Sequence, residues 1–355
     1  MIDLSKKPRM MRAVGFYKYL PIEHPESLLD IEVPKPFPKG RDILVEVKAI
    51  SVNPADPIVR AYDNKVGEPP YVLGWDVAGV VEQVGPECTL FQPGDEVFYA
   101  GSLIRSGCNS EFHLVDERIV GRKPASLDFA NAASLPLTTI TAWEGLFDRL
   151  GISQDPEANR NKSILIIGAA GGVGSIAVQI ANLAGLTVIG TASRPESIQW
   201  VNELGVNFVI NHYEAFLPQL QKIGFNHVDY IFCLNNTDQH WNNMTEVIAP
   251  QGKICLIVEN EAPIALGLLK SKSVTVVWET MFTRSTFNTE DIEEQHRLLN
   301  RLAELVDEGK IRTTVTEKIS PINAANLKLA HAKIESGKTI GKIVLEQNDA
   351  RLGHH

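Results

Sequence analysis

The sequence predicts an α/β protein in which a doubly wound parallel sheet accompanies a β-rich domain, and three observations carry that reading. The first is a strand-turn-helix transition at Ser163–Ser175, SILIIGAAGGVGS. The second is the alternation of strand and helix patterns from Thr141 to about Thr280, which winds a sheet on both faces. The third is the stretch from Arg12 to about Pro136, where short strand-like runs are cut by Pro and Gly, the pattern of a barrel-like β domain.

Taken in order, the front half reads as strands at AVGFYKYL, Ile43–Val52, Val77–Gly85, Pro93–Gly101 and Ser110–Asp116. A helical AWEGLFDRL follows. The apolar run Ile164–Ile167 is too short for a free helix and suits a strand buried on both faces. Downstream, Val173, Ile176, Ala177, Ile180, Ala181 and Ala184 recur at helical spacing, and Thr187–Thr191 supplies the next strand. The segments SIQWVNELG, FVIN, VDYIFCL, GKICLIV and VTVVW continue the alternation. Two helices, Asp291–Glu308 and Asn323–Glu335, precede a last strand at Gly341–Glu346. The expected domains are 1–140, 141–283, and a return to the first domain over 284–355.

The turn after the central strand spaces its glycines as Gly168-x-x-Gly171-x-x-Gly174, with Gly172 added. Residues without a Cβ let backbone N–H groups and the positive helix end approach a pyrophosphate, so Gly168, Gly171, Gly172, Val173 and Gly174 are the predicted cofactor cradle. The second strand ends in Ser193 and Arg194 where an NAD-binding unit usually carries a carboxylate for the ribose hydroxyl. A hydroxyl and a guanidinium suit a 2′-phosphate. NADPH is therefore expected in preference to NADH, with a solvated loop Arg194 as the bland alternative. Asn211, in VINH after the third strand, is read either as a contact to the adenosine end or as an ordinary turn residue.

Composition narrows the function. The chain has 355 residues, enough for about two domains. A net charge of -9 and the lack of any Lys/Arg run argue against a nucleic-acid surface. No apolar run is long enough to cross a bilayer and the N-terminus has no signal-peptide core, so no membrane partner is expected. Cys88, Cys108, Cys233 and Cys255 are scattered without a CxxC, which fits a reducing cytoplasm. The first ten residues and the terminal NDARLGHH are expected to be loose ends.

A β-rich front, a nucleotide-binding middle and a returning tail resemble the medium-chain dehydrogenase/reductase superfamily from Met11 to about Glu346. AAGGVG at Ala169–Gly174 is similar to its quinone oxidoreductase branch. Trp278–Phe287, Glu294–Thr314 and Ala330–Leu345 are similar to the subgroup of zinc-type alcohol dehydrogenase-like proteins. The resemblance implies a GroES-like domain made from both chain ends, with a Rossmann domain inserted. It also places the catalytic zinc ligands of zinc-dependent members at Asn53, Trp75 and near Leu137, none of which is a credible ligand, and the four-cysteine loop for structural zinc is missing. No metal is expected.

Without that Lewis acid the implied reaction is reduction of a quinone or an α,β-unsaturated carbonyl by NADPH, because the hydride creates an anion already spread over a conjugated system. The candidate catalytic residues are Asn53 as an amide donor, Asp56 as a proton relay and Thr141 beside the nicotinamide. Their bland readings are a turn before Pro54, a helix cap and a helix N-cap. Several quinone oxidoreductases carry a Tyr two residues after the matching Asp; here that place is Ile58, and the proton donor stays unassigned among Tyr62, Tyr99 and His113. Arg284 is left between the substrate site and a subunit contact, and His212, His227, His240, His296 and His331 are read as structural. A zinc-dependent alcohol dehydrogenase and a non-catalytic NADPH-binding sensor are the alternatives. A homodimer paired along Val274–Trp278 is expected.

Overall fold

The structure, a computed structural model, describes residues 9–61 and 70–347. The expected N-terminal lead through Pro8, Tyr62 and the tail from Asn348 lie outside the described residues. The chain forms two compact units, Met1–Leu137 with Phe282–His355, and Thr138–Met281. These divisions fall after Leu137 and Met281, slightly before the expected 140 and 283.

The first unit opens with β1 (Met10–Phe16), β2 (Leu29–Pro34), β3 (Asp42–Val52), α1 (Ala55–Ala61), β4 (Tyr71–Val72) and β5 (Val77–Val84). It continues through β6 (Glu96–Tyr99), β7 (Phe112–Asp116), β8 (Val120–Arg122) and α2 (Phe129–Ala133) to the start of α3 (Pro136–Trp143), within which the division falls. The strands make a three-stranded sheet in the order β2-β1-β4 and a seven-stranded sheet centred on β3. β3 pairs antiparallel with β5 along its length, with β7 through Asp42–Glu46, and with the last strand of the chain through Ala49–Val52. It is buried almost throughout instead of alternating, as a strand covered on both faces is.

The second unit carries β9 (Ser163–Ile167), α4 (Gly172–Leu183), β10 (Thr187–Thr191), α5 (Pro195–Glu203), β11 (Phe208–Ile210) and α6 (Phe216–Lys222). β12 (Val228–Cys233), α7 (Thr237–Val247), β13 (Ile248–Leu256) and β14 (Thr275–Trp278) complete it. Every strand pair is parallel, in the order β11-β10-β9-β12-β13-β14. This is the doubly wound sheet the alternation predicts. Its order reverses beside β9, where ligands collect outside the strand C-termini. Leu165, Ile189, Ile231, Trp241 and Met244 are among the residues buried in its core.

The chain then returns to the first unit as α8 (Thr283–Phe287), α9 (Glu294–Asp307), β15 (Val315–Ile319), α10 (Ala324–Glu335) and β16 (Lys342–Glu346). β16 lies antiparallel to β3, with Ile343 opposite Val52. One local departure from expectation is AWEGLFDRL, which ends α3 and then widens into a π-helical turn over Glu144–Arg149. No described helix is long and apolar enough to cross a membrane.

Candidate functional site

The turn between β9 and α4 is where the sequence predicts the cofactor cradle. Gly168 has φ +86°, a left-handed conformation that glycine adopts without strain. Gly174 is required for another reason: a Cβ there would stand 2.3 Å from Gly168 O and 2.6 Å from Ala169 Cα, so only glycine lets the helix pack this close to its own turn. Gly171 differs. A Cβ there would meet nothing nearer than Gly168 O at 3.5 Å, so no internal contact excludes a side chain. Gly171, Gly172 and Val173 are each half-buried. The first N–H groups of α4 have no intrahelical acceptor, and no side chain caps them. A half-exposed cradle of uncapped N–H groups at the start of a 12-residue helix fits a pyrophosphate.

Ser193 and Arg194 follow β10 after Ala192, just beyond the strand's C-terminal end as expected. Gly168 N–H donates to Thr191 Oγ1 at 3.0 Å, which ties the end of β10 to the glycine turn. Ser193 Oγ lies 3.3 Å from His212 Nε2. Burial, and then the nearby Arg194 guanidinium, lower the pKa of His212. Asn211 is engaged locally: Nδ2 donates to Glu214 Oε1 at 3.1 Å, and Oδ1 accepts Tyr213 N–H at 3.0 Å. This is the turn geometry of its bland reading, an Asx-turn. The histidine beside it, expected to be structural, is the residue that faces Ser193.

In the first unit, the positions where the resemblance places zinc converge on a buried ion pair. Lys342 Nζ donates to Asp76 Oδ2 at 3.0 Å, to Val52 O at 3.1 Å, and to Asn53 Oδ1. Asn53 Nδ2 donates to Asp76 Oδ2 at 2.8 Å and more weakly to Ser51 O at 3.4 Å. Leu137 N–H donates to Asp76 Oδ1 at 2.8 Å. Asn53, Asp76 and Lys342 are all at least 97 % buried. Burial pushes the Asp76 pKa up, against the pull of Lys342 and its hydrogen-bond donors. Trp75 Nε1–H is spent on Ser102 O at 3.2 Å, and its ring meets Phe282 edge-on at 6.0 Å.

This donor set does not fit zinc. An indole and an alkyl side chain offer no lone pair, and the Asn53 oxygen already accepts from an ammonium whose charge repels a dication. Among the described residues no three His, Cys, Asp or Glu side chains are grouped to hold a metal ion. Lys342, which closes the network, escaped the sequence reading because nothing local in GKIVLE marks it.

The other candidates are placed as follows. Asn53 is not a free amide: both its hydrogens have internal acceptors, the Ser51 contact being the looser. Asp56 sits in the first turn of α1, where Oδ2 accepts Asn53 N–H at 2.8 Å. Thr141 is buried in the interior of α3, so the N-cap alternative does not hold. Tyr99 and His113 form a closed pair: Tyr99 Oη lies 3.0 Å from His113 Nδ1, and His113 Nε2 lies 3.0 Å from Ser106 O. Burial drives the Tyr99 pKa up and that of His113 down to about 4. Burial as a neutral hydrogen-bonded pair makes neither a convenient proton donor at neutral pH. Arg284 is buried and donates Nε–H to Asp291 Oδ2 at 3.0 Å.

Comparison with known proteins agrees with this architecture. The alcohol dehydrogenase GroES-like domain matches residues 39–125, and the zinc-binding dehydrogenase family matches residues 204–345. A zinc-type alcohol dehydrogenase-like protein of Staphylococcus aureus is 44% identical over 335 residues, 94% of this chain and 99% of its own length. The chain belongs to the medium-chain dehydrogenase/reductase superfamily, in its quinone oxidoreductase-like branch. A crystal structure from Rhizobium etli, named for zinc-dependent alcohol dehydrogenases, superposes with a TM-score of 0.91 at 54% identity, covering 96% of this chain and 99% of that one. The quinone oxidoreductase of Escherichia coli in complex with NADPH gives 0.79 at 25% identity, covering 94% and 99%. A medium-chain dehydrogenase/reductase is an oxidoreductase, and the family points to a nicotinamide cofactor.

Proposed function

We propose that this protein passes hydride from NADPH to a quinone or an α,β-unsaturated carbonyl without zinc. The observation that carries the reading is the buried Lys342–Asp76 pair, with Asn53 bound to both partners, at the positions expected to hold a metal. With no Lewis acid to polarise a simple carbonyl, a conjugated acceptor is the substrate class that asks least of the protein, since its own π-system spreads the incoming charge. The E. coli quinone oxidoreductase, bound to NADPH, supports the same class.

Bound NADPH supplies the hydride. In this reading the N–H groups of Gly172, Val173 and Gly174 hold the pyrophosphate from the start of α4, and Gly171, whose own N–H closes the turn onto Gly168 O, lets it approach closely. Ser193 and Arg194 meet the 2′-phosphate, the guanidinium through paired N–H donors. Thr141 flanks the nicotinamide, as the resemblance implies. Asn53 is the group that meets acceptor oxygen. Lys342 donates to its Oδ1, which polarises the amide and strengthens its N–H donors. The hydrogen held only by the 3.4 Å contact to Ser51 O is the one it can turn to a developing enolate or quinol oxygen. Asp56 supports it by accepting Asn53 N–H, fixing the backbone there. In the same reading two copies pair along β14, the sheet edge, where Trp278 is 46% exposed. The chain works in the cytoplasm, as its four free thiols favour.

The test is oxidation of NADPH and NADH, side by side, against quinones, enones and simple aldehydes, with and without a chelator. Chelator-resistant, NADPH-selective turnover of conjugated acceptors is the expected result. Chelator-sensitive turnover of aldehydes would overturn it in favour of a zinc alcohol dehydrogenase. Tight NADPH binding without turnover on any acceptor would overturn it in favour of a sensor.

A further inference from the structure

His212 stands at the end of β11 and was not expected to take part in binding. It is half buried, and its Nε2 lies 3.3 Å from Ser193 Oγ, across from the connection that follows β10. Three groups of the unit therefore converge at the C-terminal end of β10 and β11: a hydroxyl, a guanidinium and an imidazole. We propose that His212 is a specificity-determining residue for the 2′-phosphate, and that NADPH binding takes up a proton on its imidazole whereas NADH binding does not. The inference rests on the NADPH reading given above.

The physical argument begins with the free protein. Burial and the fixed charge of Arg194 disfavour the imidazolium, so His212 is held neutral at neutral pH more firmly than an exposed histidine. A phosphate monoester carries close to two negative charges at that pH. Set against Ser193 and Arg194, it reverses the sign of the local field, and the imidazolium becomes the favoured form. The proton comes from solution and goes to the ring. Both ring nitrogens are then donors. Nε2–H can only donate to Ser193 Oγ, and this leaves the Ser193 hydroxyl hydrogen to point at a phosphate oxygen.

The other groups around the ring do not compete for the proton. His240, on α7, has its ring centroid 6.4 Å from that of His212. It is buried and stacked on Phe216 at 5.7 Å, and burial, with a lesser push from His212, lowers its pKa to about 4. It stays neutral while His212 titrates. Its Nδ1 has no hydrogen-bond partner, so one unsatisfied polar atom already lies beside His212. Tyr213, 4.3 Å away ring to ring, is 75% exposed. Glu214 is engaged by Asn211 Nδ2 at 3.1 Å.

The experiment is titration calorimetry of the full chain with NADPH and with NADH at pH 7, in two non-phosphate buffers of different ionisation enthalpy, for the wild type and for His212→Gln. The glutamine keeps a polar partner for Ser193 and removes the titration. The expected result has two parts. Wild type takes up a larger fraction of a proton per NADPH than H212Q does, and neither takes up a proton with NADH. The NADPH-over-NADH affinity ratio of wild type, relative to that of H212Q, then falls as pH rises from 6.5 to 8, by up to about tenfold per pH unit at the steepest point. Unchanged NADH affinity in H212Q reports an intact fold. The phosphate's own titration is shared by both proteins and cancels in the difference. Equal proton uptake by wild type and H212Q, with NADPH still preferred, overturns this inference and leaves the cofactor reading standing. Equal affinity for NADPH and NADH in wild type overturns both.

Discussion

Replacing Lys342 by Met isolates the ammonium that the last strand delivers to β3. Methionine keeps most of the buried volume, so the change removes charge and hydrogen bonds more than packing. Asp76 is left fully buried with the Asn53 and Leu137 donors but no countercharge. Removing one partner of a buried pair costs about 3–5 kcal/mol, because the remaining charge is uncompensated. For a domain of roughly 150–250 residues each kcal/mol moves the unfolding midpoint by about 2–4 °C, so K342M melts roughly 6–20 °C below wild type at pH 8. The sign with pH follows from Asp76, whose pKa is already raised by burial and rises further without Lys342. A folded-state carboxyl that holds its proton above the unfolded value of about 3.9 favours the folded form at low pH and loses that advantage as pH rises. The K342M deficit is therefore smaller at pH 5 than at pH 8. The double variant Asp76→Asn with Lys342→Met, which buries no charge, costs clearly less than the two single changes added together. Thermal unfolding followed by circular dichroism reads all three variants. A K342M midpoint equal to wild type at pH 8, or strict additivity in the double variant, would refute the reasoning.

Three further outcomes are expected. Gly174→Ala, whose Cβ would press on Gly168 O at 2.3 Å, costs about 1–3 kcal/mol and weakens nicotinamide cofactor binding, whereas Gly171→Ala, with 3.5 Å to spare, keeps the wild-type melting point and loses affinity alone; fluorescence titration beside thermal melts separates the two. Arg194→Ala lowers NADPH affinity by about 10- to 100-fold, the worth of a charge-assisted hydrogen bond, and leaves NADH affinity within a factor of about two, measured by the same titration. Glu279 shares a buried site with Glu144 beside Arg149, whose Nε donates to Glu279 Oε2 at 2.8 Å. Burial, and then the Glu144 charge, push the Glu279 pKa far up. It thus contributes stability at acid pH that is lost as pH rises above the ordinary Glu value of about 4.3; Glu279→Gln flattens that decline, and a chemical-denaturation series from pH 5 to 9 with parallel wild-type and E279Q slopes would contradict it.

The parts of the site legible in the sequence are those whose chemistry is local. The glycine turn is one, since its spacing, the strand before it and the helix after it all lie within Ser163–Leu183. The pairing of Ser193 with Arg194 is another, fixed by adjacency at the end of one strand. The loss of metal ligands at Asn53, Trp75 and Leu137 is a third, because side-chain chemistry needs no coordinates. Less was legible where a residue type has two uses. Thr141 was open to an N-cap reading that its interior place in α3 removes. Asn211 was open to a cofactor contact, and its side chain is held by Tyr213 N–H and Glu214.

By itself the sequence determined the doubly wound sheet, its glycine turn and the superfamily, because apolar period, glycine spacing and turn residues act over a few neighbours. Only the tertiary structure decided what Asn53 and Asp76 are bonded to and what faces Ser193. Lys342 reaches Asn53 and Asp76 because β16 lies antiparallel to β3 from 289 residues away. His212 reaches Ser193 because β11 lies beside β10. Both contacts arise from strand pairing, across 289 residues for Lys342 and 19 for His212, and the register that makes them is set by burial of whole strand faces, to which neither residue adds any local signal.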